Sequence, residues 1–235
     1  LRRTGGVVHS IVEGPFAAVA IEYPNQHRQL LARQGSLIGA GDVRLDNRAE
    51  VAELAGMREA DASDLELVLG AIDRNGEGCI PRLLGDFAFV CWDARAQKLL
   101  AVRDAFGVKQ LFHREAPGLQ LYASDMDPLR QDDAYDFDYI AEYLTTGGPA
   151  TDTTIWRGVT AVGAGCLVRH RGTVRSPERY WRAEEYMPAE DGDEAENCFR
   201  FRELLEQALR ARIDDPSRTW AHLSGGLDSS SVVAL

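Results

Sequence analysis

Cysteine is scarce in this chain, and so is positive charge. Four cysteines stand alone at Cys79, Cys91, Cys166 and Cys198. None forms a CxxC pair, and no histidine lies at zinc-ligand spacing from them, so neither a structural zinc site nor a disulfide framework is expected. Free thiols in a reducing cytosol are the expected state. His9, His27, His113, His170 and His222 are scattered and read as ordinary residues. Against 37 acidic residues there are 26 Lys and Arg, a net charge of −11. An acidic chain without a basic stripe repels nucleic-acid phosphates and anionic lipid, so neither partner is expected. No apolar run approaches transmembrane length, and no signal peptide leads the chain. Internal repeats and low-complexity tracts are also missing. The sequence opens on Leu1 and closes on Leu235 within an apolar run, so both ends are expected to be cuts in a longer protein.

What is present is a globular composition. Hydrophobic residues make up 45% and charged residues 27%, enough apolar material for a core without disulfides. Residues 5–45 are β-leaning, with segments at Phe16–Tyr23 and Arg28–Leu45 broken at glycines. Asn47-Arg48-Ala49-Glu50 has the pattern of a capping box, opening a helix that stops at Gly56. Ser63-Asp64-Leu65-Glu66 has it again, for a helix running toward Gly76. Gly85–Asp104 predicts a hairpin with Phe87, Phe89 and Cys91 on one face. Short strands near Leu111–Arg114 and Leu119–Ala123 follow, then a helix over Phe137–Gly148 and a hairpin over Gly165–Arg175 with Gly172 at its turn.

Beyond Tyr180-Trp181 the character changes. Residues 183–194 are acidic and polar, with Pro188 and Gly192, and are expected to be a linker. Cys198–Ile213 predicts an amphipathic helix carrying Phe199, Leu204, Leu205 and Leu209 at helical spacing. A short strand is expected over Arg218–Leu223, running into Ser224-Gly225-Gly226-Leu227-Asp228-Ser229 and a second helix. The order is an α+β domain followed by the opening of an α/β domain.

The glycine loop carries the chemistry. Glycines permit tight curvature and close approach of an anion, and a helix start offers free N–H groups at its positive end. Ser224, Ser229 and Ser230 add hydroxyls. The carboxylate of Asp228 would repel phosphate unless a cation lay between them, for which Mg²⁺ is the natural candidate. There is no Gly-Lys-Ser/Thr ending, so this is not a Walker loop.

SGGLDS after an apolar strand resembles the PP-loop of ATP pyrophosphatases. Four further segments resemble the asparagine synthetase family in the family's order: Gly85–His113, Tyr122–Leu129 (with Asp125 where the family has Glu), Thr154–Val168 and Arg179–Trp181. The resemblance implies an Ntn-hydrolase-like αββα sandwich over residues 1–182, lacking its first strand. A linker over 183–194 and the start of a PP-loop domain over 195–235 would follow. It implies ATP and Mg²⁺ as cofactors, with pyrophosphate held by Ser224, Gly225, Gly226, Asp228 and Ser229. Asp228 would hold the metal, and Leu223 matches the position bordering the adenine nucleotide.

Two features depart from the family. Its glutaminase domain begins with a catalytic Cys, and none is present here. Glutamine-hydrolysing members also carry an NGEIYN-like segment whose Asn and Gly form the oxyanion hole; the matching stretch is Asp42-Val43-Arg44-Leu45-Asp46-Asn47. Asp42 offers acceptors where donors are needed, and Val43 is expected to fill space that the Gly leaves for substrate. Asp64 matches the residue that binds glutamine's amino group, but it also suits an ordinary first helical turn. Relatives with such degenerate domains include β-lactam synthetases and lasso-peptide cyclases, and DVRLDNR resembles the cyclases most. An amide-forming ligase acting on a small-molecule or peptide carboxylate is therefore expected. A glutamine-hydrolysing asparagine synthase and a non-catalytic peptide-binding module are the alternatives. The sequence leaves the oligomeric state and the acyl acceptor open.

Overall fold

A computed structural model describes residues 5–23, 29–132, 134–148, 152–172, 174–186, 193–213 and 216–235. His27, Arg28, Pro188 and Gly192 lie outside the described residues. The chain divides into two compact units, Leu1–Arg182 and Ala183–Leu235.

The first unit opens with a hairpin, β1 (Val7–Glu13) and β2 (Phe16–Glu22), paired antiparallel as a sheet of its own. Then come β3 (Leu31–Gln34) and β4 (Leu37–Leu45), followed by helices α1 (Arg48–Ala55) and α2 (Asp64–Asn75). The α1 helix ends on Gly56 in the left-handed conformation (φ 65°), as its sequence predicts. At the start of α2, Ser63 and Glu66 form the expected reciprocal capping box. The Asn47–Glu50 box does not form. Asn47 makes no side-chain cap; its amide donates to Glu50 and to the carbonyl of Arg82, and accepts the N–H of Leu84. A long-range partner has taken the oxygen that would have capped the helix.

Next come β5 (Gly85–Asp93) and β6 (Lys98–Arg103), the predicted hairpin, and then β7 (Phe112–Ala116) and β8 (Leu119–Ala123). The helix α3 (Phe137–Thr146) is capped by Asp136, which accepts from Tyr139 N–H, and ends on Gly147 (φ 81°). The short β9 (Thr160–Ala161) precedes β10 (Cys166–Arg171) and β11 (Val174–Arg179). The main sheet has six strands in the order β11-β10-β6-β5-β4-β3, and a smaller one has three, β8-β7-β9.

Strand alternation divides the core. Val43, Leu45, Phe87, Phe89 and Val102 meet Val51, Leu65, Val68 and Leu69 of α1 and α2. Phe87 and Phe89 are fully buried, each contributing about 1.5–3 kcal/mol of transfer free energy. Gly39 lets α2 approach: a Cβ there would lie 3.0 Å from Leu69. On the opposite face, Ala88, Ala101 and Val168 pack with Leu111 and Val162; these small side chains let the second sheet come close. Helices, large sheet and small sheet are thus successive layers of an Ntn-hydrolase-like α+β sandwich. The α3 helix follows β7 and β8 in the chain and has no buried residue.

The second unit holds α4 (Glu194–Arg212) and α5 (Leu227–Ala234). The α4 helix extends the predicted one toward the N-terminus, where Glu194 and Glu196 suit its first turn. On its apolar stripe Phe199 and Leu204 are exposed, and Leu205 and Leu209 are partly buried. The strand expected over Arg218–Leu223 is not formed: residues 216–218 make a single 3₁₀ turn, and the backbone then runs without a ladder to the loop. A strand exists by pairing, and the described residues of this unit include no other strand.

Candidate functional site

The loop 224–230 curls onto the start of α5. Gly225 takes the left-handed conformation (φ 80°) and Gly226 stands at the N-cap position. Ser224 and Ser229 meet with their hydroxyls 3.0 Å apart, and Ser224 N–H donates to Ser229 Oγ at 3.2 Å. Ser230 Oγ donates to Gly226 O at 2.9 Å. Asp228 lies in the exposed first turn of α5, and Leu223 is exposed just before the loop. All six predicted loop residues thus fall at one helix start, where hydroxyls and first-turn N–H groups suit an anion. Among the described residues, no three His, Cys, Asp or Glu side chains gather as a metal site. Mg²⁺ at Asp228 fits only as one carboxylate completed by phosphate oxygens and water, a usual way of holding that ion on a nucleotide.

In the first unit, the carboxylates expected at a glutamine pocket are engaged within the protein. Asp42 lies on β4 and forms an ion pair with Lys109, Oδ2 to Nζ 2.5 Å. Asp64 accepts the N–H of Leu45 at 2.9 Å and forms an ion pair with Arg48. Arg48 also donates to the carbonyls of Glu59 and Ala62. Asp64 thereby ties the starts of α1 and α2 to the end of β4. Val43 does not project where it was expected. Adjacent strand residues point to opposite faces, and Val43, 3% exposed, sits in the helix-side core. It leaves the face that carries Asp42 untouched.

Lys109 is held in place by its neighbours. Asp104 is 1% exposed, and its carboxylate accepts from the backbone N–H groups of Phe106, Val108, Lys109 and Phe87 at 2.9–3.3 Å. Arg103 donates to the carbonyls of Lys109, Val162 and Gly107 at 2.7–2.8 Å. The two residues fix the turn by gripping backbone. Gly107 is left-handed (φ 66°) against the Arg103 guanidinium.

Sequence reasoning missed Lys109 and Arg48, whose partners lie 67 and 16 residues away with no motif to link them. It also missed that His113 and His170, treated as ordinary, come together between the sheets with Tyr122. None of the four cysteines has the look of an activated nucleophile. Burial raises the thiols of Cys79 and Cys166 and pushes Cys91 up to about 12, away from thiolate. Cys198 lies exposed on α4. Among the described residues, no helix is long and apolar enough to cross a membrane.

Residues 45–181 match the family model described as a glutamine amidotransferase domain. The chain belongs to that family. Residues 200–235 match a second model, asparagine synthase. An asparagine synthetase-like protein is thus represented by a glutamine amidotransferase domain and a short asparagine synthase segment. Glutamine-hydrolysing asparagine synthetase 3 of Bacillus subtilis is 26% identical over 229 residues, covering 95% of this chain and 36% of its own length. The amidase chry2 of Gibberella zeae is 30% identical over 176 residues, 74% of this chain and 26% of that protein. The chain therefore spans about a quarter to a third of the length of these relatives. Among solved structures, glutamine phosphoribosylpyrophosphate amidotransferase from B. subtilis is similar with a TM-score of 0.46 at 17% identity, covering 70% of this chain and 35% of that one.

Within this amidotransferase-like domain, the match begins at Leu45, at the end of the strand that carries Asp42.

Proposed function

We propose that the intact protein is an ATP-dependent amide-bond ligase whose amidotransferase-like domain does not hydrolyse glutamine. The observation that carries this is the state of the two carboxylates at the matched glutamine pocket. Asp42 is paired with Lys109, and Asp64 with Arg48 and the Leu45 N–H. A glutamine amide passing to its tetrahedral intermediate needs donors aimed at the oxygen; Asp42 supplies acceptors, already engaged by a lysine.

In the proposed chemistry, a substrate carboxylate oxygen attacks the α-phosphorus of ATP, and the bond to the β-phosphate oxygen breaks. The products are an acyl-adenylate and pyrophosphate. An amine then attacks the acyl carbon, AMP leaves, and the amine's proton passes to solvent or a base. Ser224, Ser229 and the first-turn N–H groups of α5 would bind the departing pyrophosphate. Mg²⁺ at Asp228, when bound, would neutralise phosphate charge. The acyl donor is a small-molecule or peptide carboxylate, and an amine in the same substrate is the acceptor, as in macrolactam formation.

The test is to incubate the intact protein with ATP, Mg²⁺ and candidate carboxylates and to identify the nucleotide product. AMP and pyrophosphate support the proposal; ADP overturns it. Glutamine-dependent asparagine synthesis remains the second reading, favoured by the long match to the B. subtilis synthetase. Glutamate release coupled to asparagine formation would establish it.

A further inference from the structure

His113 on β7 and Tyr122 on β8 are directly opposed in the small sheet. His170 on β10 and Arg175 on β11 are opposed in the same way in the large sheet. The two pairs face each other between the sheets. The rings of His113 and His170 are 5.7 Å apart, and Tyr122 Oη lies 2.6 Å from His170 Nε2. Both histidines are 4% exposed.

Arg175 lies near Tyr122. Tyr122 Oη and His170 Nε2 share a hydrogen bond in which either group can donate. His170 Nδ1 is buried and has no partner among the described residues. On the other side, Gln120 donates to Glu115 at 3.3 Å, so its carbonyl accepts from His113 Nε2 at 2.7 Å. The Gln120 carbonyl can accept from His113 in either protonation state; burial and the nearby Arg175 are what disfavour the charged ring. The charged groups around the pair are Arg175 from β11 and Glu115 from β7, the latter reached through Gln120. The large sheet adds Leu99 of β6 opposite His170, and β9 adds Thr160 opposite His113.

We propose that this cluster is an acid-sensitive latch between the two sheets, released when His170 takes up a proton. A second ring proton on His170 would place a buried charge beside Arg175 and His113, with no carboxylate in contact, and would leave its Nδ1–H with no acceptor among the described residues. Burial, then His113 and Arg175, hold His170 down at about 4, and burial lowers His113 as well. The sign follows: the latch is fully stable above the ordinary histidine range near 6.5. Its stability is lost as pH falls from there toward 4, because the opened chain takes the proton first. Over that window His170 changes the opening equilibrium by about 300-fold. Lys109 precedes the first residue of β7 by three positions, so opening would also draw Lys109 from Asp42.

The experiment is a histidine NMR titration with amide hydrogen exchange on the intact protein, from neutral pH to about pH 4, for wild type and His170→Gln. The expected result is a silent His170 ring until about pH 5, with β7, β8 and β9 losing exchange protection before the helix-side core. His170→Gln, whose carbonyl can accept from Tyr122, should flatten that loss. A His170 ring titrating near 6.5 with the small sheet still protected overturns the proposal. So does a His170→Gln variant whose sheet opens over the wild-type pH range. If His170→Gln does not fold, the wild-type titration and exchange order decide.

Discussion

Lys109 Nζ lies 2.5 Å from Asp42 Oδ2, joining the loop after β6 to the middle of β4. The carboxylate that we propose stands at the oxyanion position is thus compensated within the fold. Both side chains are about a third exposed or somewhat less, so the pair is of the partly screened kind. A double-mutant cycle of Asp42→Asn and Lys109→Met should give a coupling of about 0.5–1 kcal/mol in denaturant unfolding, shrinking in high salt. A coupling of zero at low salt would mean that the pair does not hold the loop.

Asp104 is a larger structural commitment. Its buried carboxylate satisfies four backbone N–H groups. Asp104→Ala strands these donors and should cost about 3 kcal/mol or more. Asp104→Asn, which keeps one acceptor oxygen, should cost less. Equilibrium unfolding in urea checks the order; equal losses would show that the one acceptor oxygen retained in Asn contributes nothing.

Asp228 is exposed in the first turn of α5. Asp228→Ala should therefore leave the melting temperature within about 1–2 °C of wild type while abolishing pyrophosphate release from ATP. A folded variant with undiminished release would remove Asp228 from the nucleotide site.

Local signals were legible in the sequence, and long-range ones were not. The Ser63–Glu66 box formed because both partners lie within one turn. Phe87, Phe89 and Cys91 declared their face by alternation. Asn47 misled because Arg82 and Leu84, 35 and 37 residues away, compete for its amide. The Arg218–Leu223 strand misled because apolar residues make a strand only with a neighbour to pair with. The orientation of Val43 was available from alternation alone: if Asp42 faces the site, Val43 cannot. The partners Lys109 and Arg48, and the meeting of His113 with His170, depend on how layers stack, which no local pattern encodes.

The most direct test of the account is glutamine hydrolysis by the intact protein, read as glutamate release with and without ATP. The engaged carboxylates of Asp42 and Asp64 predict no release above background, alongside AMP formation when a carboxylate substrate is supplied. Glutamate release on the order of 1 per second or faster would contradict it and make the glutamine pocket a working one.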